Sequence, residues 1–158
     1  MLKYIETKVV LEEVPDEITL AINISGCPNR CPGCHSPHLW EDSGTALTED
    51  NLMNLISKNP GITCVCLLGG DADPEYTAAL FKSVKKNTDL KTCWYSGRDM
   101  DYGYEGLKYL DFIKTGPYIK EKGPLTSPVT NQRFHSVCYD STEDTISLKD
   151  ITFKFQRT

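Results

Sequence analysis

Three cysteines fall within eight positions of one loop, Ser25-Gly26-Cys27-Pro28-Asn29-Arg30-Cys31-Pro32-Gly33-Cys34-His35. The spacing is C-x3-C-x2-C. Prolines at 28, 32 and 37 disfavour a regular helix, and the glycines permit the turns that aim three thiolates at one centre. Cysteine thiolates are the usual ligands of a four-iron cubane cluster. Three close cysteines hold three irons and leave the fourth open to a small molecule, which suggests chemistry beyond electron storage. Other readings stay open. The three cysteines with His38 would make a Cys3His zinc site, and the chain a non-catalytic zinc-binding interaction module, although the paired C-x2-C layout of common zinc folds is missing. Disulfide formation is unusual in a reducing compartment. A ferredoxin-type carrier has a different spacing and a fourth cysteine ligand.

The elements that must position this loop alternate between strands and helices. ITLAINI over 18–24 places Ile18, Leu20, Ile22 and Ile24 on one face at period two, which predicts a strand running into the cysteine loop. Glu49 and Asp50 follow Thr48, and Leu52, Leu55 and Ile56 then fall at helical spacing. A helix over 49–58 capped by Thr48 is expected, stopped by Asn59-Pro60-Gly61. ITCVCLL over 62–68 reads as a buried parallel strand with Cys64 and Cys66 on the same side. A second helix begins with Asp73 as cap and Pro74 at its first position, with Tyr76, Leu80 and Val84 as its buried stripe. LKTCWY at 90–95 and LDFIK at 110–114 read as further strands, and the C-terminal ISLKDITFKF as a strand or hairpin. Residues 96–109, rich in Tyr, Gly and Asp, make a poor helix. This order predicts an α/β fold with a mostly parallel sheet. A complete eight-fold barrel needs about 250 residues, so an incomplete (β/α) barrel or an open sheet is expected. Ligands in such folds bind at the C-terminal edge of the strands, where Cys27, Gly69, Ser96 and Lys114 all fall.

The 158 residues predict a single domain, 1–158. Lys and Arg number 17 against 22 Asp and Glu, a net charge of −5. That balance argues against nucleic acid or an anionic membrane as the main partner. MLKYIETKVV carries no apolar run of a targeting segment, and stretches such as 65–68 fall far short of the roughly 20 residues of a membrane span. The expectation is a cytoplasmic protein whose cysteines are metal ligands, catalytic groups or core residues. Cys64, Cys66, Cys93 and Cys138 are expected to be buried small hydrophobes, with a second metal site as the alternative.

The C-x3-C-x2-C loop after the first core strand resembles the hallmark of the radical S-adenosylmethionine (SAM) superfamily. The CPGC form at 31–34, the chain length, Gly69-Gly70-Asp71, Trp94-Tyr95-Ser96-Gly97 and the segment Ser127–Arg133 are similar to the activating components of anaerobic (class III) ribonucleotide reductases. The similarity runs from about residue 18 to residue 134. Gly33 matches those activators, whereas His35 stands where a tyrosine is common. The resemblance implies a radical SAM half-barrel in which Cys27, Cys31 and Cys34 ligate a 4Fe-4S cluster and SAM chelates the open iron. It implies that Gly33, Cys34 and His35 border the cofactor. Gly70, with Gly69 and Asp71 beside it, would meet the methionine amino group. Ser96 would touch the nucleoside or carboxylate, Lys114 would pair with the carboxylate, and Asn131 and Arg133 would bind the substrate peptide. Simpler roles stand beside these: a tight turn at 69–71, a hydroxyl ending a strand at 96, a solvated lysine at 114, an ion pair at 133. The implied activity is reductive SAM cleavage that installs a glycyl radical on the reductase, with electrons from a flavodoxin- or ferredoxin-type donor. Activation of another glycyl-radical enzyme, or small-molecule chemistry like that of deazaguanine synthases, is the alternative.

Overall fold

The computed structural model describes residues 1–33, 37–99 and 104–156. Cys34 and His35 lie outside the described residues. The chain runs β1 (Lys3–Val10), β2 (Thr19–Ile24), β3 (Thr45–Ala46), α1 (Glu49–Ser57), β4 (Cys64–Leu68), α2 (Pro74–Asn87), β5 (Lys91–Tyr95), β6 (Phe112–Thr115), β7 (Arg133–Asp140) and β8 (Thr145–Asp150). The two helices begin where side-chain oxygens cap their first amides. Thr48 Oγ1 accepts from Asn51 N at 3.1 Å, and Asp73 Oδ1 from Tyr76 N at 3.1 Å.

The strands form one sheet in the order β3-β1-β2-β4-β5-β6-β7-β8. Its centre, β2-β4-β5-β6, is parallel throughout. Both flanks are antiparallel. The sheet is therefore mixed, and the expected mostly parallel arrangement is confined to the central four strands. Parallel neighbours need a long crossover. Such crossovers carry α1, α2 and, before β6, a short 3-10 helix at Glu105–Tyr109. The β1–β2, β6–β7 and β7–β8 connections contain no helix, and there the chain turns back on itself.

Each face of the central sheet is buried. Leu20, Ile22, Ile24, Val65, Leu67 and Trp94 pack with Leu52, Leu80, Phe81 and Val84 beneath the helices. Ile18, expected to share that face, sits before the strand and is 42% exposed. Cys64, Cys66 and Cys93 point the other way, into a cluster with Val14, Leu125, Phe134 and Ile151. These three thiols behave as small hydrophobes, and burial pushes the Cys64 and Cys93 thiols far above their ordinary range. Cys138 is exposed. Among the described residues no helix is long and apolar enough to cross a membrane.

Candidate functional site

Because β2, β4, β5 and β6 are parallel, the segments that leave their C-terminal ends emerge on one edge. They enclose a cavity of about 550 Å³. Cys27, Asn29 and Cys31 border it from beyond β2, Gly69 and Asp71 from beyond β4, Gly97 from beyond β5, and Lys114 from within β6. A shallower groove of about 650 Å³ at the opposite end is bordered by residues 59–63 and 88–91. It holds none of the expected site residues, and its Glu17 and Lys91 are paired with each other at 2.9 Å.

The cysteine loop is tied down at its start. Ser25 N donates to Lys3 O at 3.0 Å, Gly26 N to Glu41 O at 3.0 Å and Cys27 N to Leu39 O at 2.9 Å. Arg30, at φ 44°, and Gly33, at φ 76°, adopt left-handed backbone that interrupts any helix. Cys27 and Cys31 are half-buried and free. The carboxamide of Asn29 lies between two segments: Nδ2 donates to Asp71 Oδ2 at 2.5 Å and is 3.8 Å from Cys27 Sγ. Gly33 is exposed and packs beside Tyr118 and Lys120 rather than bordering the cavity.

The two glycines after β4 have different surroundings. Gly69 borders the cavity at φ 115°, its carbonyl accepting from Trp94 Nε1 at 2.8 Å. A Cβ there would stand 3.1 Å from the Ile24 carbonyl oxygen, so only glycine fits without a shift. Gly70 is turned away and buried against α2, its carbonyl accepting from Thr77 Oγ1 at 3.1 Å and Asp73 N at 3.2 Å. The backbone that meets the cavity is thus Gly69, one residue before the position singled out from the sequence. Asp71, 2% exposed, accepts from Asn29, from Ser96 Oγ at 2.6 Å and from Gly97 N at 2.8 Å. One carboxylate thereby joins the cysteine loop, the β4 turn and the end of β5. Ser96 is buried on this carboxylate and faces a smaller pocket of about 120 Å³ with Trp94, Arg98 and Tyr104, not the main cavity. Burial, and secondarily Asp71, pushes the Tyr104 phenol upward.

Lys114 borders the cavity while only 9% exposed. Its Nζ donates to the Ser96 and Gly116 carbonyls, both at 3.1 Å, and lies 5.9 Å from the Tyr95 ring centroid. Of the 131–133 triplet, Gln132 is the residue that reaches the cavity. Asn131 Nδ2 donates to Pro117 O at 3.0 Å. Arg133 donates to Thr130 O and sits 3.6 Å from Asp150 Oδ2, an ion pair outside the cavity. Sequence reasoning passed over Asn29, Glu12, Glu13, Tyr95 and Gln132, all of which border the cavity. Asn29 was signalled by its place between two cysteines. Glu12 and Glu13 come from the β1–β2 connection, whose position depends on a strand that the period-two pattern did not reveal. Burial, then the neighbouring Glu12 charge, raises the Glu13 carboxyl above the usual range.

The donor chemistry on this edge suits an iron–sulfur cluster. Two free thiols share one cavity, and an amide N–H donor stands beside one of the sulfurs. Among the described residues no group of three or more His, Cys, Asp or Glu side chains is placed to hold a metal ion, Cys64, Cys66 and Cys93 included. No curated protein matches the chain. Residues 18–135, which run from the start of β2 into β7 and include the whole cysteine loop and the cavity ends of the four parallel strands, match the family described as a 4Fe-4S single cluster domain. With three quarters of its length inside that match, the chain belongs to the 4Fe-4S single cluster domain family.

Proposed function

We propose that this 4Fe-4S protein is a radical SAM activase that installs a glycyl radical on an anaerobic ribonucleotide reductase. The observation that carries the reading is the convergence of Cys27, Cys31, Gly69 and Lys114 on one cavity at the C-terminal edge of four parallel strands. Its volume, about 550 Å³, suits a nucleoside-sized cosubstrate. On this reading the central strands are the wall of an incomplete barrel, and Cys27, Cys31 and Cys34 hold three irons. When bound, the reduced cluster would supply one electron to the SAM sulfonium, which would release methionine and leave a 5′-deoxyadenosyl radical to take a hydrogen atom from a backbone glycine of the partner.

The chain's own groups bind and orient. Gly69 lets the methionine end approach the backbone, because no side chain intervenes. Lys114, already fixed by two carbonyls, presents its charge to the methionine carboxylate. Asp71 acts one step back, by fixing the segments that carry these groups. A glycine-bearing loop of the partner enters at the strand edge that carries the cavity, and itself excludes water. A flavodoxin- or ferredoxin-type donor in the cytoplasm supplies the electron.

The test is anaerobic reconstitution of the full chain with iron and sulfide, then SAM cleavage under dithionite, with the partner reductase added and glycyl radical read by electron paramagnetic resonance. Wild type is expected to bind four irons, cleave SAM and yield the radical signal, and Cys31→Ala to lose all three. Equal SAM turnover in both overturns the proposal, as does a colourless protein with stoichiometric zinc.

A further inference from the structure

We infer that Asn29 is a positioning residue that sets the reduction equilibrium of the cluster, holding one amide N–H toward the Cys27 sulfur while Asp71 holds the other. A primary carboxamide has two N–H groups. One is taken by Asp71 Oδ2 at 2.5 Å, and the same nitrogen stands 3.8 Å from Cys27 Sγ. Asp71 is itself immobilised by Ser96 and Gly97, so the amide is anchored from outside the cysteine loop. The β5 end is shaped around it: a Cβ at position 97 would stand 2.6 Å from Asn29 Nδ2. Neither neighbouring residue type does the same work. Serine is too short to span both partners, and aspartate would face the Asp71 carboxylate with no donor.

The direction of the effect follows from charge. Reduction adds one electron to the cluster, and part of that negative charge falls on its sulfur ligands. A donor N–H aimed at a ligating sulfur stabilises the reduced form more than the oxidised one. Because the carboxylate of Asp71 polarises the same amide, the donor stays oriented in both states.

The inference rests on Cys27 being a cluster ligand, as proposed above, but not on SAM chemistry. The test is a reductive titration of the reconstituted full chain without SAM, with iron and sulfide counted in each sample. Wild type is compared with Asn29→Leu, which removes the donor and keeps water off the sulfur, and with Asn29→Ser, which carries the comparison if the leucine variant does not fold. The reduced-to-oxidised ratio at a fixed potential is expected to fall about tenfold in the variants, a midpoint drop of about 59 mV for a one-electron couple. A variant that holds four irons with an unshifted midpoint overturns the inference. The expected shift in a protein that fails to cleave SAM supports it and refutes only the activase reading. A wild type that holds no cluster overturns both.

Discussion

Replacing Asp71 asks whether the carboxylate holds the site together or only faces a ligand. Three donors end on it, from Asn29, Ser96 and Gly97, at 2.5, 2.6 and 2.8 Å. Hydrogen bonds to a charged acceptor contribute about 1.5–3 kcal/mol each. Asp71→Ala removes all three, and the relief of an ion buried to 2% exposure offsets part of the loss. The net cost is about 3–5 kcal/mol, since each of the three donors left unpaired costs about 1–3 kcal/mol and the relieved ion offsets part of the sum. For a domain of this size that lowers Tm by about 6–20 °C.

Asp71→Asn separates charge from shape. Its amide nitrogen cannot occupy the Oδ2 position, where two N–H donors already point. It fits at Oδ1, where the partner among the described residues is the Ser96 hydroxyl, whose oxygen accepts from Arg98 N and keeps a second lone pair to accept the new N–H. The asparagine variant should therefore lose only charge assistance, about 1–2 kcal/mol. Urea denaturation of the cluster-free chain under reducing conditions, with the slope m held equal, reads both values. An alanine variant within about 1 kcal/mol of wild type, or an asparagine variant as damaged as alanine, would refute the account of Asp71 as a structural hub.

Two further outcomes are expected. Gly70→Ala places a Cβ 2.7 Å from Thr77 Oγ1 at φ 109°, whereas Gly61→Ala, at φ 90°, meets nothing within 4 Å. The first should cost about 2–5 kcal/mol from strain and overpacking, the second only about 1 kcal/mol, both read by thermal denaturation. At Asp150, burial works to raise the carboxyl pKa. The Thr152 hydrogen bonds, with His135 and Arg133, outweigh it and hold the group below its ordinary range. A depressed native pKa stabilises the fold above the unfolded value of about 3.9 and is lost as pH falls through the folded one. The stability gap between wild type and Asp150→Asn should be present at pH 7 and shrink below pH 4. It stays under about 1 kcal/mol because the pair is half exposed. Equal gaps at pH 7 and pH 3 would contradict that sign.

Much of the scaffold was legible in the sequence, because its signals are local. A capping oxygen three residues before an amide acts within one turn, which is why Thr48 and Asp73 mark the helix starts. The alternation through Leu20, Ile22 and Ile24 reflects the pleat itself, and the cysteine spacing lies within one loop. The flanking strands were less legible. β1 has four half-buried and four exposed residues and none fully buried, with Glu6 and Lys8 on one side and Thr7 and Val9 on the other, so period two has little contrast there.

The direction of each group at the site was decided only by tertiary structure. Gly69 and Gly70 look alike as a dipeptide, but Thr77 on α2 claims the carbonyl of the second. Arg133 resembles a binding residue until the β7–β8 hairpin brings Asp150 beside it. Asp71 turns from candidate ligand contact into the joint between three strand ends, because its three donors come from positions 29, 96 and 97. The sequence by itself determined that three thiols could share a centre and that glycines, a serine and a lysine end neighbouring strands. Which of them meets the cavity depends on donors and acceptors tens of residues apart, whose pairing exists only once the parallel strands are in register.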